Sequence, residues 1–365
     1  MKIAFVHFPG RIARLEAARA GEAPTEFLFG AVELERAGHD IRHFEVDPGA
    51  PASRIALRVV DANAGRGHLP PHLQAAVLSG TKSLLPALRT ADVVVATTTA
   101  TAIALAVWRR ARLLRRPLVG IVAGLLNEPW RRTRRLTTLP LLHQLHSVLY
   151  GPGELAGMHA LSARLQNRVH VVAFGVDATF WSPGGGSEGD VVAIGNDGHR
   201  DWATLIAAAP EIPARVRLLT RQRPPRELPA NVTWEAADWY RRLLSDEEVR
   251  GVYRNAAAVV VPVRDVPQPS GQSVTLQAMA CARPVVLSRT RGLWAPDELR
   301  DGENIVFVPP ADPEALATSV RAVLADPGSA SAIGSSARET ILRHASVDEY
   351  AQRLLAVCRT AIAEP

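Results

Sequence analysis

The stretch from Val259 to Trp294 constrains the fold of this chain more than any other. An apolar β-type run, Val259 to Val263, is followed by a loop rich in Pro, Ser and Gly. A helical pattern opens at about Ser273 and runs through Leu276, Gln277, Ala278 and Met279. Pro284-Val285-Val286-Leu287 then reads as a second buried strand. A strand–loop–helix–strand unit in an α/β sheet requires a right-handed crossover. The loop therefore falls where a strand's carboxyl end meets a helix N-terminus, the place where open α/β sheets bind ligands. The amides of Gly271, Gln272 and Ser273 would face a phosphate there, with the helix dipole behind them. A loop that merely joins two elements is the plain alternative.

The chain is long enough to supply that unit with a partner domain. At 365 residues, 47% apolar and 21% charged, it suits two globular domains rather than a disordered chain. Met1-Lys2-Ile3-Ala4-Phe5-Val6 reads as a first strand, not as a signal peptide, and no run is long and apolar enough to span a membrane. Two cysteines, Cys281 and Cys358, have no metal-binding spacing and suit a reduced compartment. A net charge of +6 invites a nucleic-acid or anionic-membrane partner, although arginine-rich composition also follows from a GC-rich genome.

The first half alternates strands and helices. Strand Lys2–His7 ends in Phe8-Pro9-Gly10, a loop at the ligand edge, and residues 11–23 are read as a mobile loop or short helix. A helix is expected from Pro24-Thr25-Glu26 to Arg36, with Thr25 as N-cap and Gly38 closing it. Glu26 at its start is either dipole-favourable or catalytic. Strands follow at 41–46, 92–97, 118–123, 147–150 and 169–172, with helices at 77–88, 101–114 and 154–162. Residues 48–72 carry no clear pattern. From Arg109 to Arg135 arginines recur, and Glu128 is the only acid between Trp108 and Tyr150. That composition fits a helix lying on anionic lipid, or equally a solvated face with a core stripe. No base-reading or stacking motif accompanies it, so nucleic acid is not expected.

Residues Gly175-Val176-Asp177-Ala178-Thr179-Phe180-Trp181-Ser182-Pro183 closely resemble the Gly-Val-Asp-x-x-x-Phe-x-Pro hinge of family 4 glycosyltransferases of the GT-B fold. The Gly-Gly-Gly-Ser run at 184–187 reads independently as a linker. Ala278-Met279-Ala280 with Pro284-Val285-Val286 resembles that family's nucleotide-sugar signature, Gly38-His39-Asp40-Ile41 the end of its first helix, and Gly302 to Val308 its next turn and strand. The family's two acids do not recur. Pro269 falls on the first, with Ser270 beside it, and Gln277 on the second. The resemblance implies an α/β chain of two Rossmann-like domains facing each other across a cleft, with a C-terminal helix crossing back. The boundaries would be 1–175 plus about 346–365 for the acceptor and 176–345 for the donor.

The same resemblance assigns roles. After strand Val191–Ile194, Gly195 and Asn196 take the turn, and Arg200 falls where the family places a cation on the donor diphosphate. Asn196 falls on a second cation position and can only hydrogen-bond, so Arg221, closing strand Val216–Thr220, is the candidate second cation. Gln277 would hold the ribose, while Ser270 and Glu298 are candidate sugar contacts. His7 is the candidate catalytic group of the first domain, with Pro9, Gly10 and Glu26 on the acceptor side. A lone His at a strand end is also often structural. The implied reaction moves a sugar from a UDP- or GDP-sugar to a hydroxyl acceptor (glycan, lipid-linked or small molecule) with retention and without metal or other cofactor. A non-catalytic partner subunit, suggested by the missing acids, and a nucleotide-sugar epimerase are the alternatives. A cytoplasmic setting is expected, in solution or at the inner face of the membrane through the arginine segment.

Overall fold

Strands such as Val93–Ala96, Val191–Ile194 and Ala258–Val261 are apolar at every position, with no alternation. Such runs are buried on both faces, which a parallel sheet with helices on both sides provides. The chain builds two of these sheets. The computed structural model describes residues 1–47, 49, 54–70, 72–127, 129–186, 189–237 and 244–364. It divides into two units, one of residues 1–20, 27–173 and 350–365, the other of 21–26 and 174–349. Of the features read from the sequence, Glu128 and Ser187 lie outside the described residues.

In the first unit the strands are β1 (Lys2–His7), β2 (Asp40–Glu45), β3 (Val93–Ala96), β4 (Leu118–Ile121), β5 (His146–Leu149) and β6 (Val169–Val171). They lie in the order β2-β1-β3-β4-β5-β6, all parallel. The helices are α1 (Leu15–Arg19), α2 (Ala31–Arg36), α3 (Arg54–Gly65), α4 (Ala75–Leu88), α5 (Thr99–Arg110), α6 (Arg132–Leu142) and α7 (Leu155–Leu161). One core joins α4, α5 and α6 through Leu88, Ile103, Leu105 and Leu142. The other joins Ile3 and Phe5 of β1 to Leu34 of α2 and to Tyr350, Leu354 and Leu355 of the chain's last helix.

In the second unit the strands are β7 (Val191–Ile194), β8 (Val216–Thr220), β9 (Val232–Ala236), β10 (Ala258–Val261), β11 (Val285–Ser288) and β12 (Val306–Val308). Their order, β12-β11-β10-β7-β8-β9, is the doubly wound order of dinucleotide-binding folds. The helices are α8 (Trp202–Ala208), α9 (Asp246–Asn255), α10 (Gln272–Ala280), α11 (Pro313–Ala325) and α12 (Pro327–His344). The last helix, α13 (Val347–Ala363), joins the core of the first unit from Tyr350 onward.

The structure departs from the sequence reading in three places. The helix expected from Thr25 to Arg36 is a 3-10 turn (Thr25–Leu28) followed by α2. Phe29 and Gly30 break it with φ of 58° and 76°, and a Cβ on Gly30 would lie 3.0 Å from Ala351 of α13. Thr25 is thus not the cap of α2: Gly30 holds that position, without a side-chain bond. Helix α3 occupies the stretch that carried no pattern, and β9 was not foreseen because only Val232 of it is fully buried.

Close packing at Gly120 gives a test of the first core. A Cβ there would lie 2.6 Å from Ala102 Cβ of α5 and 2.8 Å from Leu145 Cδ1. Gly120→Val should cost about 1–3 kcal/mol by overpacking. Urea denaturation of the two proteins measures it, and an unchanged midpoint would show that α5 is not seated on β4 in this way.

Candidate functional site

In the second sheet the strand order reverses between β7 and β10, so the turn after β7 and the loop after β10 flank a topological switch point. The two segments are stitched together. Asp201 N donates to Pro262 O at 3.0 Å, Arg264 N donates to His199 O at 2.9 Å, and Arg200 forms an antiparallel bridge with Val263. Gly271, with φ 80°, then opens α10 without a side-chain cap.

Arg200 lies at the centre of this arrangement, 4% exposed. Its guanidinium rests between two glycines. A Cβ on Gly195 would fall 2.1 Å from Arg200 Nε, and one on Gly271 would fall 3.1 Å from Nη1. Gly195 excludes a side chain for the sake of that cation, and at Gly271 Val261 Cγ1, 2.6 Å from such a Cβ, and the positive φ exclude one as well. Arg200 Nε is 2.9 Å from Asp197 Oδ2 as an ion pair without hydrogen-bond geometry, and both Nε and Nη1 are buried without a hydrogen-bond partner among the described residues. Asp197 is itself held by Ser270 Oγ, which donates at 2.6 Å, and by His199 N at 3.0 Å. Burial alone would raise the Asp197 carboxyl, but the Arg200 charge and these two donors hold it below the usual carboxylate range. Asp197 escaped the sequence reading, although it sits three residues before Arg200 in the same polar turn.

The other donor-side candidates divide. Gly195, Arg200, Ser270 and Gly271 meet at the switch, with Gln272 and Ser273 opening α10 behind them. The Asn196 amide is engaged inside the turn, donating to Ala237 O at 3.0 Å and accepting from Arg221 N at 2.7 Å and Thr220 Oγ1 at 3.2 Å. Arg221 is thereby fixed at the same edge by its backbone, with its side chain exposed. Glu298 lines a separate cavity of about 300 Å³, together with Arg300, Asn304, Thr340 and His344.

Gln277 is 5% exposed, and its amide is occupied at both ends. Tyr253 Oη donates to its Oε1 at 3.2 Å, and its Nε2 donates to Glu26 Oε1 at 3.1 Å. Glu26 belongs to the second unit and is fully buried. Its carboxylate also accepts from Trp181 Nε1 at 2.6 Å and from Asp177 N at 3.2 Å. Burial pushes the Glu26 carboxyl up to about 7, against the pull of the Trp181 and Gln277 bonds. A carboxylate thus stands beside position 277, delivered from residue 26. No spacing in the sequence could have signalled that pairing.

In the first unit the order reverses between β1 and β3, and His7 closes β1. Pro9 and Gly10, with φ 90° at Gly10, form the following turn. His7 Nε2 is 3.1 Å from His43 Nδ1, His43 Nε2 is 3.2 Å from Glu35 Oε1, and Arg19 Nη2 donates to that oxygen at 2.8 Å. An ionised Glu35 only accepts, so His43 donates from Nε2 and accepts at Nδ1. His7 must then donate from Nε2, which leaves a lone pair on Nδ1, buried without a partner among the described residues. Burial, with the His43 and Arg11 charges, lowers His7 to about 3, so its ring is neutral at physiological pH.

Comparison with known proteins finds similarity to glycosyltransferases. Residues 189–326 match the family model Glycosyl transferases group 1. Over 225 residues the chain is 30% identical to alpha-maltose-1-phosphate synthase of Mycolicibacterium smegmatis, covering 53% of this chain and 57% of that one. Over 131 residues it is 35% identical to D-inositol 3-phosphate glycosyltransferase 1 of Catenulispora acidiphila, covering 35% of this chain and 26% of that one. The matches thus span little more than half the length of the first of these relatives and about a quarter of the second. Among solved structures, sucrose-phosphate synthase from Thermosynechococcus elongatus superimposes with a TM-score of 0.72 at 18% identity, over 100% of both chains. Anabaena HepE in complex with UDP and glucose does so with 0.67 at 14%, over 98% of both. These likenesses establish the fold as GT-B.

The Glu26 site gives a pH-dependent prediction. The folded chain keeps the Glu26 proton up to about pH 7, whereas the unfolded chain releases it near the ordinary value of 4.5. Between those values the unfolded chain binds fewer protons, so stability falls as pH rises, by up to about 3 kcal/mol, and then levels off. Glu26→Gln has no proton to lose. Relative to the parent its stability should therefore rise across that window, as read by denaturant titrations at its two ends. A difference independent of pH would mean that Glu26 does not titrate there.

Proposed function

We propose that this GT-B chain, whose second unit matches the group 1 glycosyl transferases, moves a sugar from a nucleotide-diphosphate donor to a hydroxyl acceptor with retention of configuration. The observation that carries the reading is Arg200, a buried cation with a partnerless Nη1, set between Gly195 and the uncapped start of α10. A buried cation held by one carboxylate and left with a free donor suits a multiply charged anion. As the glycosidic C–O bond breaks, charge develops on the leaving diphosphate. Fixed donors in a water-poor site stabilise such charge far better than water does.

In this reading the diphosphate lies against Arg200 and the first amides of α10, at Gln272 and Ser273. Arg221 approaches as the second cation, and Asn196 holds the turn that carries it. Gln277, oriented by Tyr253 and Glu26, is the ribose contact. Ser270 is the sugar contact at this edge, whereas Glu298, expected beside it, lines the separate cavity and is not carried into the site. On the acceptor side, beside Pro9 and Gly10, His7 offers the Nδ1 lone pair to the incoming hydroxyl, its tautomer set by His43 and Glu35. A UDP- or GDP-sugar is the proposed donor. HepE, crystallised with UDP and glucose, supports the first of these. The acceptor is a glycan, a lipid-linked saccharide or a small molecule. The alternative of a non-catalytic subunit rests on Pro269 and Gln277 standing where the family's acids stand.

A panel of nucleoside diphosphates and nucleotide sugars, read by thermal melting, tests this. A true donor at about a hundredfold its dissociation constant should stabilise the chain by about 2.7 kcal/mol. Arg200→Ala should weaken that binding by about ten- to a hundredfold, the worth of one or two charge-assisted hydrogen bonds. A shift without sugar transfer would favour the non-catalytic subunit. No shift with any nucleotide would overturn donor binding altogether.

A further inference from the structure

The amino-terminal edge of the first sheet lies opposite the edge that holds His7. All six strands run parallel and begin there, so the turns leading into β3, β4, β5 and β6 line up in sheet order. Four neighbouring strands give a row about 15 Å wide. Helix α5 ends at this edge with Arg109 and Arg110, the turn into β4 adds Arg115 and Arg116, and the turn into β6 adds Arg164 and Arg168. These charges lie within reach of one another. Besides burial, Arg164, Arg168 and Arg110 all disfavour the charged form of His143, just before β5, and Arg168 does the same to Arg109.

Among the described residues none of these six guanidinium groups is ion-paired with a carboxylate. The hydrogen bonds they make go to backbone carbonyls. Arg109 donates to Arg115 and Arg116, and Arg116 Nε donates to Arg89 O at 2.9 Å. Asp92, before β3, and Glu364, beside His170, are carboxylates at this edge, and the six guanidinium groups outnumber them, an excess of positive charge that a polyanionic surface relieves. Between the arginines Leu113 stands 46% exposed. The preceding Arg112 adopts a left-handed φ of 61°, which costs a non-glycine residue about 1–3 kcal/mol.

We propose that this edge docks the chain on an anionic phospholipid bilayer, the arginines on lipid phosphates and Leu113 in the interfacial layer. Guanidinium forks match phosphate oxygens, and clusters of this size bind anionic lipid with useful strength. A protruding leucine among them gains only where an apolar layer receives it. Single-stranded nucleic acid would be held on aromatic platforms instead. Trp108, at the same end of α5, is turned inward, donating from Nε1 to Thr81 Oγ1 at 3.0 Å and Leu78 O at 3.2 Å. The inference does not depend on the transfer reaction, because the edge lies at the other end of the strands from the proposed site.

Vesicle co-sedimentation of the full chain tests it. The chain should bind phosphatidylglycerol-rich vesicles and not pure phosphatidylcholine. The triple variant R110S/R115S/R164S alters exposed side chains only and should partition on the order of a hundredfold more weakly. Leu113→Ser alone should weaken partition by about tenfold. An unchanged melting temperature for both variants keeps a folding defect out of the result. Equal binding to neutral vesicles, or parent-like binding by the triple variant, overturns the proposal. So does retention on RNA or duplex DNA at a salt concentration at which anionic vesicles no longer hold the protein.

Discussion

The second unit's site depends on one ion pair, Arg200 with Asp197. Taking a guanidinium out of water costs several kcal/mol unless a counter-charge and good geometry repay it. Asp197 supplies the charge at 2.9 Å, and Ser270 and His199 keep that carboxylate ionised. Ser270 comes from the loop after β10 and Asp197 from the turn after β7. The pair therefore also fixes the distance between the two sides of the switch point. Gly195 follows as a consequence, since any Cβ there would displace the cation.

Glu26 plays a comparable part deeper in the same unit. Residues 269 and 277, where the resembled family 4 signature has acids, are Pro and Gln, yet a carboxylate is present beside Gln277, bonded also to Trp181 and Asp177. The residues read as a hinge are among the best held in the unit. Asp177 Oδ1 accepts from Thr179 N and Phe180 N. Arg250 donates to Phe180 O, Arg254 to Ser182 O, and Arg338 to the carbonyls of Ala178 and Trp181. Even Gly184, at the start of the run read as a linker, accepts from Arg283. The Gly-Val-Asp-x-x-x-Phe-x-Pro pattern thus marks a segment clamped by three arginines of α9 and α12.

Legibility followed locality. Strands β3, β7 and β10 were readable because each is buried on both faces and apolar throughout, and β1 and β11 because only their ends are polar. The capping box at Ser245 has a local signature, because both of its bonds span three residues. The break at Phe29 and Gly30 has none, because Ala351, which packs where a Cβ on Gly30 would lie, is more than three hundred residues away along the chain. The turn at 195–200 and the loop at 270–273 could be brought together on paper, since parallel order forces their strand ends to one edge. The engagement of Asn196 and Gln277 within the fold could not, because it depends on which side chains arrive from β8, α9 and residue 26.

The sequence by itself determined a chain of alternating strands and helices, because apolar runs and turn residues act over a few residues, and its short motifs carried the resemblance that implied the GT-B fold. It also determined the collection of arginines on particular turns. Only the tertiary structure decided that those turns share one edge, that Arg200 is buried with a partnerless nitrogen, and that Glu26 stands at Gln277. A hydrogen bond across 251 residues has no local signature. It exists because burial removes both groups from water and leaves each the other's best partner.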